Sequence, residues 1–135
     1  VNKSIVLDNI YYDLDKADIR EDAALELDKL VVILRDNPNI SIELSSHTDD
    51  RASVEYNQDL SQRRAESAVY YILSKGITEN RIIAKGYGES QLIIANAKSE
   101  EEHQINRRTE FKVTSYEFID SSGSEDEEEK FFNNN

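Results

Sequence analysis

The sequence predicts an α/β protein: a two-layer sandwich of β-α-β-α-β-β order, with a mixed sheet and two main helices on one face. Three observations lead there. Short runs rich in β-formers alternate with longer segments whose apolar residues recur every three or four positions. Each long segment carries a single apolar stripe, so each helix covers one side of a sheet. A length of 135 residues suits one core.

The elements follow in order. Ser4-Ile5-Val6-Leu7 and Ile10-Tyr11-Tyr12 are short and apolar, which suits a first strand with an irregular end. Ala23, Leu27, Leu30, Val31 and Leu34 then recur at helical spacing, so a helix is expected around Glu21–Asp36. It starts with an acidic turn at Glu21-Asp22 and stops at Pro38. Ile40, Ile42 and Leu44 alternate with Ser41, Glu43 and Ser45, the period of a half-buried strand. A polar loop, Ser46 to Arg51, comes next. From Ser53 to Lys75 the period is helical again: Leu60, Arg64, Ala68 and Ile72 form one row and Ala65, Val69 and Leu73 the next, closed by Gly76. Ile82-Ile83-Ala84 reads as a third strand before Gly86-Tyr87-Gly88. The polar stretch from Glu89 to Asn106 shows no period and is expected as an insertion. Thr109, Phe111 and Val113, alternating with Glu110, Lys112 and Thr114, give the last strand.

Composition shifts once, near Tyr116. Residues 1–116 are expected to form the folded domain and residues 117–135 an acidic, disordered tail. Seven acids face Lys130 alone there, which is half the formal net charge of −12. The 16 Lys and Arg against 28 Asp and Glu exclude a nucleic-acid binder, which would present a cationic footprint. With no cysteine there is no disulfide, thiol nucleophile or Cys-type zinc site. No apolar run approaches the roughly 20 residues of a membrane span, and residues 1–20 lack the order of a signal peptide. A chain that starts at Val1 and has no methionine is expected to be a piece of something longer.

Several enzyme patterns are set aside. Gly86-Tyr87-Gly88 lacks the third glycine and the following helix of a dinucleotide loop, and no phosphate loop occurs. A Ser-His-Asp site built on His47 and Asp49 has no nucleophile elbow behind it. A hard-cation site from His47, Asp49 and Asp50 lacks regular ligand spacing. Asp13 and Asp15, two apart on a strand, have no evident means of separating their pKa values. No catalytic residue, metal or cofactor is expected. What stands out is Ser46-His47-Thr48-Asp49, then Tyr56-Asn57, then Leu60-Ser61-Gln62-Arg63-Arg64-Ala65. Asp49 follows a strand and Arg64 sits on the next helix, so an anion and a cation can face each other across a short gap. Such a pair is either an ordinary ion pair or a trap for the ammonium and carboxylate of an amino-acid centre, each held by charge-assisted hydrogen bonds of roughly 1.5–3 kcal/mol.

The order His47-Thr48-Asp49, Tyr56-Asn57, Leu60-Ser61 with Arg64-Ala65, Gly76-Ile77, Gly86-Tyr87-Gly88-Glu89 and Asn106-Arg107-Arg108 resembles the OmpA C-terminal domain family over roughly residues 3–115. That family includes peptidoglycan-associated lipoproteins and flagellar stator proteins. The resemblance implies non-catalytic binding of peptidoglycan, with Asp49 on the ammonium and Arg64 on the carboxylate of the diaminopimelate side-chain centre. Thr48, Asn57 and the backbone near Leu60 would complete the cradle, and Asp13 and Arg107 would line the same mouth. It further implies a periplasmic module that tethers a larger outer-membrane or periplasmic protein to the wall. A protein-interaction module that keeps the fold without wall binding is the alternative. Ser46 and Ala52 stand where the family usually has glycine, and wherever such a glycine takes positive φ the binding loop here must follow another path. Residues Glu101 to Ile105 also depart from the usual run before Asn106. Ser46 and the Asn9-Ile10-Tyr11-Tyr12-Asp13 opening resemble Bacteroidetes-type members, some of which close outer-membrane lipoproteins of the type IX secretion apparatus.

Overall fold

The alternating strand and helix signals become four strands and three helices in the computed structural model, which describes residues 4–7, 10–13 and 16–116. The elements are β1 (Ser4–Leu7), α1 (Glu21–Asp36), β2 (Ile40–His47), α2 (Val54–Ser74), β3 (Ile82–Gly88), α3 (Glu100–Asn106) and β4 (Arg108–Tyr116), with a 3-10 turn at Glu79–Arg81. The expected order and the mixed sheet are both present. Strands lie in the order β1-β4-β2-β3; β4 is antiparallel to both neighbours, and β2 runs parallel to β3 across the α2 connection. The expected tail from residue 117 and the carboxylate of Asp15 lie outside the described residues.

Both long helices pack on one face. Ile40, Ile42 and Leu44 of β2 and Phe111 and Val113 of β4 meet Leu27, Leu30 and Leu34 of α1 and Ala65, Ala68 and Ile72 of α2 in one buried cluster. Leu27, Leu30 and Leu34 are fully buried; truncating any one to alanine is worth about 2–5 kcal/mol, the transfer term plus the cavity left behind. Arg81 closes the far end of α1. Its guanidinium donates to the carbonyls of Leu34 and Asn37 at 2.7 and 2.8 Å and to that of Ile40 at 3.0 Å, satisfying carbonyls that the helix end leaves open.

Two differences from the sequence reading position the functional end of the sheet. First, β3 continues past Ala84 to Gly88. Its outer edge would be open, but α2 lies against it: Gln62 Oε1 accepts from the Gly86 N–H at 2.8 Å, Ser61 Oγ accepts from the Gly88 N–H at 2.8 Å, and Gln58 Nε2 donates to the Gly86 carbonyl at 2.6 Å. Helix side chains thereby cover an edge that would otherwise template aggregation. Gly86 is what allows this approach, since a Cβ there would come within 2.2 Å of the Gln62 backbone nitrogen. Second, the insertion contains a helix. Ser99 caps α3, its Oγ accepting from the Glu102 N–H at 3.2 Å, while Glu102 Oε1 accepts from the Lys98 N–H at 2.8 Å, close to the reciprocal Ser-x-x-Glu cap.

Candidate ligand-binding cleft

At the end of the sheet where β2 gives way to α2, a cleft of about 770 Å³ opens between the 10–12 segment, the loop after β2, the first half of α2, and α3. Local rules build its floor. Ser53 caps α2 by accepting from the Tyr56 N–H at 3.1 Å, which fixes where the helix begins. Asn57, buried in the first turn, donates through Nδ2 to the carbonyls of Arg51 and Asp49 at 2.9 and 3.3 Å and to Glu89 Oε1 at 3.0 Å. The Thr48 N–H donates to the Gly88 carbonyl at 2.9 Å and its hydroxyl to the Asp49 carbonyl at 2.8 Å. The Asp49 loop is thus tied to β3 and α2 from below.

Asp49 is 7% exposed and carries its charge there. Its Oδ1 accepts from the Arg51 N–H at 3.0 Å; its Oδ2 accepts from Arg51 Nη2 at 2.9 Å and from Arg107 Nη1 at 2.6 Å. Burial pushes this carboxyl up, but hydrogen bonds from Arg51 and Arg107 outweigh it and hold Asp49 below the usual carboxylate range. Arg64 stands on the α2 wall. Its Nε donates to the Lys16 carbonyl at 2.8 Å, its Nη2 to the Asp13 carbonyl at 3.3 Å, and its guanidinium lies 4.7 Å from the centre of the Tyr12 ring. The Tyr12 hydroxyl donates to the Arg64 carbonyl at 3.2 Å. Burial pushes this phenol up to about 12, against the pull of the Arg64 charge and of Thr109.

Of the residues singled out from sequence, Thr48, Asp49, Asn57, Leu60, Arg64 and Arg107 all line the cleft. Asp13 does not. Its carboxylate points outward, 3.5 Å from Arg20 Nη1, and it meets Arg64 only through its carbonyl. Its carbonyl also accepts from the Lys16 N–H at 2.9 Å. The ion pairs of Asp49 are with Arg51 and Arg107, so the simple Asp49–Arg64 bridge weighed from sequence is not what fills the gap. Arg51 and Glu100 were missed. Arg51 sits two residues past Asp49, where a side chain can fold back on it; the Ser99-x-x-Glu102 cap was the available sign of the helix that brings Glu100 in.

The expected detour of the loop is also absent at Ala52. This residue keeps φ 74, the left-handed region that favours glycine. Ser46 sits inside β2, buried at a shift of register against β3, and does not take positive φ. His47 belongs to the opposite face of the sheet from the core. It is buried, its Nε2 lies 3.1 Å from Ser45 Oγ, and its ring stacks on Tyr87 at 5.2 Å. Burial, then the Arg108 charge, lowers its pKa to about 4 against the pull of Glu110, so the imidazole is neutral. His47 therefore joins Ser45 and Tyr87, while Asp49 joins the arginines, and the Ser-His-Asp arrangement does not assemble. Asn106, fully buried, accepts through Oδ1 from the N–H groups of Ile93 and Ile94 at 2.8 and 2.9 Å and holds the insertion beside the cleft.

Compared with known families, residues 11–107 match the OmpA family, a span that includes every cleft residue from Tyr11 to Arg107. The chain belongs to the OmpA family. It is 33% identical over 105 residues to outer membrane porin F of Pseudomonas fluorescens, covering 78% of this chain and 32% of that protein. Among solved structures, the peptidoglycan-associated lipoprotein from Burkholderia pseudomallei superimposes with a TM-score of 0.70 at 25% identity, covering 78% of this chain and 88% of that one. The cell wall anchor of the T6SS from Pseudomonas aeruginosa gives a TM-score of 0.68 at 26% identity, covering 83% and 79%. The chain spans half or less of the length of the curated relatives it matches. Within this OmpA-family fold, α3 brings Glu100 and Gln104 to the cleft, and the left-handed Ala52 lines it as well.

Proposed function

We propose that this OmpA-family domain binds peptidoglycan without catalysis, through the diaminopimelate of the stem peptide. The observation that carries the reading is one cleft lined by both Asp49 and Arg64. Asp49 Oδ1 takes one backbone N–H and keeps a lone pair for a ligand ammonium. Arg64, held over the Tyr12 ring and anchored to two backbone carbonyls, presents a fixed charge for the ligand carboxylate. Thr48 and Asn57 position the Asp49 loop, and the backbone near Leu60 completes the cradle. Relatives whose names are peptidoglycan-associated lipoprotein and cell wall anchor support the same reading. On it, the domain works in the periplasm and tethers an outer-membrane or periplasmic protein to the wall through the rest of the polypeptide. Ser46 and the Asn9-Ile10-Tyr11-Tyr12-Asp13 opening support a Bacteroidetes-type lipoprotein of the type IX secretion apparatus as that protein.

A second reading, a protein-interaction module without wall binding, is favoured by one observation: both arginines already sit on Asp49 Oδ2. Binding measurements separate the two. Asp49→Ala and Arg64→Ala should each lower affinity for a diaminopimelate muropeptide by roughly a hundredfold, because one ligand charge is then held without a partner. A lysine-type muropeptide, which has the ammonium but lacks the second carboxylate, should bind poorly as well. Folded variants that retain purified peptidoglycan as well as the parent does would leave the interaction module standing.

A further inference from the structure

Glu100, the first residue of α3, bridges the two arginines of the Asp49 cluster. Its Oε1 lies 3.1 Å from Arg51 Nη2, and its Oε2 accepts from Arg107 Nη2 at 2.6 Å. Arg107 gives one terminal nitrogen to each acid, and Arg51 shares Nη2 between them. Asp49, Arg51, Glu100 and Arg107 therefore form a closed ring of alternating charge. The two acids are not equivalent. Asp49 is buried and held by the loop backbone, whereas the Glu100 side chain is 61% exposed. Exposed ion pairs contribute little, since water solvates the separated ions almost as well. Glu100 is thus the member of the ring that leaves at little cost.

The surroundings favour a replacement anion. Among the described residues that line the cleft, Arg20 pairs with Asp13 and Asp22 and Arg108 with Glu110, which leaves Arg51, Arg64 and Arg107 facing Asp49 and Glu100, in a chain whose formal net charge is −12. A guanidinium pair spaced to take both oxygens of one carboxylate fits another carboxylate in the same way.

We infer that Arg51 and Arg107 form a second carboxylate subsite of the cleft, and that Glu100 occupies it as an internal stand-in which a ligand carboxylate displaces. This rests on the stem-peptide reading above and refines it. Arg64 takes the side-chain carboxylate of diaminopimelate, and the Arg51–Arg107 pair takes its main-chain carboxylate. That second group is free only where the stem ends at diaminopimelate. The preferred ligand is therefore an uncross-linked tripeptide stem.

Calorimetry with the intact chain tests this, using a stem tripeptide that ends in diaminopimelate and the same peptide with its main-chain terminus as the carboxamide. Glu100→Gln removes the charge and keeps the shape. The variant should bind the free acid about two- to fivefold more tightly than the parent, the gain of one exposed pair no longer competing, with no change for the carboxamide. Weaker or unchanged binding of the acid, or an equal gain for both peptides, overturns the subsite. If the parent binds neither peptide, the stem-peptide reading fails by itself. Acetate then reports on the subsite directly: the Arg51 and Arg107 Nε–H resonances should shift at lower acetate in Glu100→Gln than in the parent, and superimposable titrations refute the inference.

Discussion

Ala52 holds the Asp49 loop in a conformation that an L-residue adopts at a cost. At φ 74 its Cβ crowds the backbone, a penalty of about 1–2 kcal/mol that glycine does not carry. The loop keeps this shape because it is tied elsewhere: Asn57 holds the Arg51 carbonyl and Asp49 holds the Arg51 N–H, so the chain must turn left-handed before Ser53 can cap α2. Replacing Ala52 by glycine relieves the crowding but frees the unfolded chain, which takes back part of the gain. Ala52→Gly is expected to raise stability by about 0.5–1 kcal/mol in urea unfolding. A loss would mean that the Ala52 methyl packs more favourably than its backbone angle costs. The presence of alanine here was plain in the sequence, but its backbone angle was not, because the angle is imposed by side-chain bonds from Asp49 and Asn57 to the Arg51 peptide, which residue spacing does not announce.

At the scale of elements, the decisive contact is α2 against the edge of β3. Gln58, Ser61 and Gln62 lie on successive turns of α2 and meet the peptide groups of Gly86 and Gly88. A Cβ on Gly86 would lie 2.2 Å from the Gln62 nitrogen and 2.7 Å from the Ser61 carbonyl carbon, both helix backbone, so α2 must move off the sheet. Gly86→Ala is therefore expected to destabilise by about 3 kcal/mol and to weaken ligand binding, since Asn57, Leu60 and Arg64 ride on the same helix. Thermal unfolding and peptide titration of one variant read both. Unchanged stability would show that α2 can slide without loss. From sequence, Gly86-Tyr87-Gly88 could be excluded as a nucleotide loop, but nothing local said that these glycines mark a helix seated on a strand edge. The α3 helix was overlooked for a different reason: seven residues give too short a window for periodicity, and its cap alone signalled it.

For the whole molecule, folding and protonation are linked through the polar face of the sheet. His47 is packed under Tyr87 beside Arg108 and Glu110, and its pKa falls from the usual 6.5 to about 4. The unfolded chain thus binds more protons between those two values, and stability rises with pH across that window. It is full above about pH 6.5 and is lost as pH falls toward 4, by at most about 3 kcal/mol from this group. Comparing the parent with His47→Gln isolates the effect from the carboxylates, which titrate in both. The difference between their unfolding free energies should grow steadily from pH 4 to 6.5 and then level off; parallel curves would show that the buried imidazole takes up its proton without opening the fold.

The sequence by itself determined the layer architecture, the bounds of both long helices and most of the cleft. Those features depend on periodicity, on caps such as Ser53 and breakers such as Pro38, and on side chains carried at fixed spacing on one helix, all of which are local. What tertiary structure decided is which charges meet. Arg51 and Arg107 are 56 positions apart, and Glu100 reaches both only because Asn106 and the Ser99 cap fold the insertion back beside the loop. Asp13 lost its expected place for the same kind of reason: its exposed carboxylate pairs with Arg20, and only its carbonyl reaches Arg64. Ion pairing falls off over a few ångströms, so its partners are fixed by the path of the chain in space, and residue spacing along the sequence carries no record of that path.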